Sequence, residues 1–300
     1  MNIKAWISAA RLRTLPLAFS VILMGSALAY SEGSFKLNVL ILSLLTTLFL
    51  QILSNYANDL GDSQNGADNA LRVGETRAVQ SGLISQKQML SGVIVMSVLA
   101  FAAGVGLLKT AFGTFNATFL FFLVLGLASI GAAIKYTAGK SPYGYAGLGD
   151  LSVFVFFGLV GVVGSYYLHT LRIANYASLL LAYSCGVFSV GVLNLNNMRD
   201  ILPDAMAKKQ TIPVRIGYEN AKKYHIFLIA SGFISAIVYL LANGKTWQSF
   251  ILMPSLHTFN FFVLRPLLAA KASDNIDSLL KKMAFSTLLF VVLFAISINV

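Results

Sequence analysis

A chain of 300 residues carries 22 Lys and Arg against 11 Asp and Glu, a net charge of +11. Hydrophobic residues make up 57% and charged residues 11%, less than half the roughly 25% of a soluble domain. So few charges cannot clothe a water-soluble fold of this size, which excludes an ordinary cytosolic enzyme and a disordered chain. The composition points to an all-α polytopic membrane protein.

Runs of about 20 apolar residues cross a bilayer as helices. Nine are expected, at 14–31, 38–57, 89–108, 114–134, 150–168, 175–193, 224–243, 247–265 and 280–299. The runs are too long for barrel strands, and helices satisfy their own backbone in lipid. The first has a basic lead and an Ala27-Leu28-Ala29 stretch, the outline of a secretory signal. Pro16 opens it well as a helix, so it is read as an uncleaved span. Cys185 lies midway along the sixth run; a lone cysteine excludes an intramolecular disulfide and a cysteine-based zinc site, and a small core residue is expected. His169 falls in an outer loop, His225 at a helix entrance, and His257 beside Asn260 in the eighth run, where interhelical hydrogen bonding is expected.

Nine spans put the termini on opposite sides. Eighteen of the 22 basic residues fall on the side of the N-terminus and four on the other. The positive-inside bias places the N-terminus in the cytoplasm. The charge is then mostly a topology signal. The aromatics sit within the apolar runs, so no nucleic-acid partner is implied, nor does the sequence call for an obligate protein partner.

Ten of the eleven acids lie on that same side; Glu32 is the exception. Five crowd into two places, which open the long loops at about 58–88 and 194–223. Asn55, Asn58, Asp59 and Asp62 stand at i, i+3, i+4 and i+7, one face of a helix. Asn65-Gly66 signals a turn, from which Asp68 reaches back. After the sixth span, Asn197, Asp200 and Asp204 share a face, in a helix disturbed by Pro203. The two places are four spans apart. This suggests one membrane domain over 1–300 built of two pseudo-repeated four-helix halves, about 1–149 and 150–268, with the ninth helix appended.

Acids this close repel unless a cation joins them. Oxygen ligands suit Mg²⁺, which keeps waters and is often completed by substrate phosphates. Arg72, Arg77, Lys208, Lys209 and Arg215 follow the acids, which favours a metal–phosphate site over a bare Ca²⁺ cage. The plain alternative is a solvated polar loop with helix-capping Asp residues. A diphosphate on a membrane-embedded tail, as in allylic prenyl diphosphates, has the matching shape.

At these residues the chain resembles the UbiA-type intramembrane aromatic prenyltransferases. Asn58-Asp59-Leu60-Gly61-Asp62 matches the first family motif, with its last Asp two positions late at Asp68, and Asp200, Asp204 and Lys208 match the second. That late Asp, the run from Tyr136 to Asp150, Thr211-Ile-Pro-Val-Arg-Ile-Gly217 and Arg11-Leu-Arg-Thr-Leu-Pro16 look like the branch acting on 1,4-dihydroxy-2-naphthoate. Lys140, where Pro is expected, is a departure.

The resemblance implies Mg²⁺-dependent transfer of a polyprenyl group from an allylic diphosphate to that aromatic acid, with loss of CO₂ and diphosphate, giving demethylmenaquinol. Asp62, Asp68, Asp200 and Asp204 would be catalytic and, with Asn58, would hold Mg²⁺, with Asp59 a supporting alternative. Arg77, Arg199, Lys208 and Lys209 would meet the diphosphate. Asn55, Lys135, Tyr143, Tyr145 and Asp150 would handle the aromatic substrate, although Asp150 also suits a helix cap. A sister enzyme acting on 4-hydroxybenzoate shares these features. A secondary transporter fits less well, because transporter acids gather near the bilayer midplane. The lack of an N-terminal extension favours a bacterial inner membrane, with the site facing the cytoplasm.

Overall fold

The structure, a computed structural model, describes residues 2–66 and 77–300. Among these, every regular element is helical, and nine helices are long and apolar enough to cross a bilayer. The chain is a multi-pass membrane protein. In chain order the helices are α1 (Ile3–Ala10), α2 (Leu15–Ser31), α3 (Leu37–Asn65), α4 (Gln86–Phe112), α5 (Ala117–Lys135) and α6 (Gly149–Thr170). They continue as α7 (Tyr176–Arg199), α8 (Ile201–Met206), α9 (Ile212–Ile216), α10 (Tyr218–Ala242), α11 (Trp247–Ala269) and α12 (Asp277–Asn299).

The helix α1 was not foreseen. It is capped by the Asn2 side chain, which accepts from Ala5 N at 3.2 Å. Its Ala5, Ala9 and Ala10 face is buried with Leu53, Tyr56 and Ala57 of α3, while Ile3 and Ile7 stay exposed. Arg11 ends it in the left-handed conformation, at φ 47°.

The helix α7 lies deepest in the bundle, against α6, α10 and α12. Small residues let α6 and α7 approach closely. A Cβ on Gly158 would fall 2.6 Å from the Ala182 carbonyl oxygen and 3.1 Å from Gly186 Cα, so backbone meets backbone, as lipid-embedded helices require in the absence of a hydrophobic drive. Phe188 anchors an aromatic core, with Phe259 and Phe290 each at 4.9 Å and Phe233 at 5.5 Å. Cys185 is buried in this core, as expected. His257 departs from expectation: it lies exposed, its ring stacked on Phe261. His169 is not in a loop but buried in the last turn of α6, between Ser26 and the Lys36 backbone.

The helix α3 runs on to Asn65 and closes with a left-handed Gly66, φ 77°, whose N–H bonds the Asp62 carbonyl. It therefore carries the first acidic cluster on a continuous helix. The second cluster differs. The helix α7 ends at Arg199, Asp200 takes a non-helical conformation, and α8 starts afresh with Pro203 in its first turn. Pro203 has no N–H to give to the Arg199 carbonyl and its ring would clash there, so the chain turns. Helical bonds nevertheless run across the break, from Asp200 N to the Asn196 carbonyl at 3.2 Å and from Asp204 N to the Asp200 carbonyl at 2.9 Å, so Pro203 disturbs the helix here as its sequence suggests.

Candidate functional site

With spans alternating in direction, the ends of α3 and α7 and the loop between α5 and α6 all emerge on one side. On α3, Asn55, Asp59 and Asp62 are buried and Asn58 is half-buried. Arg77 reaches this face from the segment before α4. It forms an ion pair with Asp62, lies 3.7 Å from Asp59 and donates to the Asn58 carbonyl at 2.7 Å. The left-handed turn after α1 brings Arg11 to Asp59 as a second ion pair.

Around the second cluster, Arg199 makes a two-pronged contact with Asp200, Nε at 2.9 Å and Nη2 at 2.6 Å, the planar fork matching the carboxylate. Arg199 also pairs with Asp277 at the start of α12, and Asp277 accepts from Arg13 at 3.0 Å. Asp204 pairs with buried Lys209 at 3.3 Å. Lys208, φ 57°, turns the chain between them and is itself exposed.

Tyr145 joins the two clusters. Its hydroxyl donates to Asp62 at 2.7 Å, and its ring centroid lies 5.4 Å from the Lys209 ammonium. The Gln210 N–H holds the Tyr145 carbonyl at 2.9 Å. Burial and the Asp62 charge push the Tyr145 phenol up. Burial pushes the Asp204 carboxyl up to about 6; Lys209 opposes this, and the charges of Asp200 and Asp62 add to it. A cavity lined by Arg11, Arg13, Asp59, Arg77, Asn196, Arg199 and Lys281 is shared by both halves of the chain. Its lining is strongly cationic.

The donor set fits a Mg²⁺ ion completed by phosphate. Among the described residues, no three His, Cys, Asp or Glu side chains form a metal cage by themselves. Mg²⁺ needs only one or two carboxylates when a phosphate supplies further oxygens. Buried oxygens are available for this: Asp59 Oδ2 and Asp204 Oδ2 accept no hydrogen bond among the described residues. Asn58, Asp62, Asp200 and Asp204 could hold the ion, with Asp62 and Asp200 exchanging contacts with Tyr145, Arg77 and Arg199 to do so. Asp68 lies outside the described residues.

The residues expected at the aromatic substrate are placed less uniformly. Tyr143 and Tyr145 line an open recess with Asn65, Lys140 and Lys208. The Tyr143 hydroxyl bonds the Ala132 carbonyl at 2.9 Å and Ser152 at 3.0 Å. Asn55 donates to the Ala10 carbonyl at 2.9 Å, tying α3 to α1. Asp150 is not the helix cap, which is Leu148, but accepts from Tyr224 at 2.9 Å. Lys135 is exposed. Four site neighbours went unnamed as site residues in the sequence: Arg11, Arg13, Thr137 and Asp277. Arg11, Arg13 and Thr137 lie in stretches that mark the resemblance, which gives them no role of their own; Asp277 carries no local motif.

A sequence profile of the UbiA prenyltransferase family matches residues 18–288. The 1,4-dihydroxy-2-naphthoate octaprenyltransferase of Haemophilus influenzae is 40% identical over 302 residues, covering 99% of this chain and 96% of that protein. The Escherichia coli protein of the same name is 41% identical over 293 residues, covering 96% and 94%. Among solved structures, the apo form of a UbiA homolog from Aeropyrum pernix aligns with TM-score 0.62 at 17% identity, covering 96% of each chain. A UbiA homolog from Archaeoglobus fulgidus bound to GPP and Mg²⁺ aligns with TM-score 0.61 at 19% identity, covering 97% of this chain and all of that one. The family match spans most of the chain and the neighbours share its fold: the protein belongs to the UbiA prenyltransferase family.

Proposed function

We propose that the protein is a 1,4-dihydroxy-2-naphthoate polyprenyltransferase. It moves a polyprenyl group from an allylic diphosphate to the naphthoate ring, with loss of CO₂ and diphosphate, and yields demethylmenaquinol. The observation that carries this reading is Tyr145, which touches Asp62 and stands beside Lys209, drawing two acidic clusters far apart in sequence into one site. The relatives of that name, at 40% and 41% identity over nearly the whole chain, support the choice of acceptor.

In the reaction, the allylic C–O bond breaks and its electron pair leaves with diphosphate. The electron-rich ring attacks the allylic cation, and departure of the carboxylate as CO₂ restores the aromatic system. Bound Mg²⁺ would supply positive charge to the diphosphate as its negative charge grows. Asn58, Asp62, Asp68, Asp200 and Asp204 would hold it. Arg77 and Arg199, already fixed by carboxylates, would present guanidinium N–H groups without reorganising, and Lys209 would add a point charge. The Tyr145 phenol stays protonated and so keeps donating to Asp62. Exposed Lys208 would meet diphosphate only from the rim. Asn55, Tyr143 and Asp150 would shape the acceptor side through the elements they tie together, with Lys135 at the entrance.

The chain reads as one domain of two pseudo-repeated halves, with the N-terminus and site on the cytoplasmic face of a bacterial inner membrane. Purified protein, offered 1,4-dihydroxy-2-naphthoate and 4-hydroxybenzoate with one prenyl diphosphate, tests the assignment. Naphthoate prenylation that requires Mg²⁺ is expected. Preference for 4-hydroxybenzoate would overturn the acceptor, and turnover in EDTA would overturn the metal.

A further inference from the structure

The loop 136–148 between α5 and α6 touches the first acidic cluster twice. Tyr145 reaches Asp62, as above. At the other end Thr137, 1% exposed, places its hydroxyl 2.9 Å from Asn58 Oδ1 and 3.1 Å from the Ala57 carbonyl. Asn65 Nδ2 donates back to the Thr137 carbonyl at 2.9 Å. Between these bonds Gly61 lies flat against the loop. A Cβ there would overlap the Thr137 carbonyl group and fall 2.6 Å from the Ala138 nitrogen, atoms that cannot swing aside. Four residues of α3, from Ala57 to Asn65, are therefore locked to one threonine and its peptide bonds.

We propose that Thr137 is a positioning residue for the cation site and acts through Asn58; this rests on the reading of Asn58 as a ligand. A half-buried carboxamide has several rotamers, and ordering it on binding has an entropic cost. The Thr137 hydroxyl supplies that order in advance. An amide oxygen has two lone pairs. Thr137 takes one, its single hydroxyl proton lying nearer Asn58 Oδ1 at 2.9 Å than the Ala57 carbonyl at 3.1 Å, and leaves the other for the ion. Partners of this kind behind a ligand commonly tune metal affinity.

The test compares Thr137→Val, which keeps the shape and removes the hydroxyl, with Thr137→Ser, which keeps the hydroxyl. Full-length protein in detergent is titrated with Mg²⁺ in the presence of geranyl thiodiphosphate, whose C–S bond resists ionisation. The readouts are the rise in unfolding midpoint and, with true substrate, the Mg²⁺ concentration for half-maximal turnover. Thr137→Val is expected to need about tenfold more Mg²⁺ by both measures, a shift typical of a lost ligand partner. Thr137→Ser is expected to follow the unaltered protein, with KM for the aromatic acceptor constant throughout. Unchanged Mg²⁺ dependence in Thr137→Val, or equal impairment in Thr137→Ser, overturns the proposal. If the valine variant does not fold, Thr137→Ala carries the same expectation. Asp62→Asn is the control: if it turns over normally, the underlying site reading fails, whereas an inactive Asp62→Asn beside a normal Thr137→Val removes this inference alone.

Discussion

Tyr145 and Asp62, 83 residues apart in the chain, share a 2.7 Å hydrogen bond at the end of the bundle where α3 and α7 emerge. The same tyrosine ring lies 5.4 Å from Lys209, the partner of Asp204. One side chain thus spans two clusters that are well separated in sequence.

Tyr145→Phe keeps the ring and removes the bond to Asp62. A hydrogen bond to a charged group contributes about 1.5–3 kcal/mol. Turnover per unit Mg²⁺ is expected to fall by roughly ten- to a hundredfold, with little change in folded yield. Steady-state kinetics across a Mg²⁺ series checks this; unaltered kinetics would remove Tyr145 from the site.

Arg199 binds Asp200 and Asp277 together. Arg199→Met leaves two acids without their shared counter-charge, and breaking a buried pair costs about 3–5 kcal/mol. A clear fall in unfolding midpoint is expected, together with loss of activity. Asp277→Asn, which leaves Asp200 paired, is expected to be milder on both counts. Thermal unfolding of the two variants side by side decides it.

Gly158→Leu forces a side chain between α6 and α7 where backbone now meets backbone. Overpacking of this kind costs about 1–3 kcal/mol or more. Poor folded yield is expected from Gly158→Leu and an intermediate yield from Gly158→Ala, read by size-exclusion profiles in detergent.

Asp62→Ala and Asp200→Ala are each expected to abolish turnover while the protein still inserts in the membrane. The carboxylates lie at the ends of helices whose apolar faces are unaltered, so insertion does not depend on them. Product formation near the normal rate by either variant would contradict their assignment to the metal.

The nine spans were legible because lipid imposes a length and a composition on each helix, and both are written locally. The first acidic face was legible for a related reason: α3 continues unbroken to Asn65, so helical spacing holds through Asp62. The second cluster was legible only in outline: Pro203 marks a disturbance, and the chain does leave helical geometry at Asp200, but the spacing does not say that Arg199 and Lys209 take up its carboxylates. The roles of Arg11, Thr137 and Asp277 were hidden because their partners lie 48, 79 and 78 residues away, and the motifs around Arg11 and Thr137 do not say what these side chains touch. The helix α1, which packs only its three alanines on α3, is hard to read because its eight residues look like the lead of the first apolar run.

The central claim is that both clusters grip one metal–diphosphate unit. Crystals grown with Mn²⁺ in place of Mg²⁺, together with geranyl thiodiphosphate, locate the ions by anomalous scattering. The account predicts ions bridged by the diphosphate and touched by carboxylates of both α3 and the Asp200–Asp204 segment. Ions held by one cluster alone, with the other turned away from the diphosphate, would contradict it.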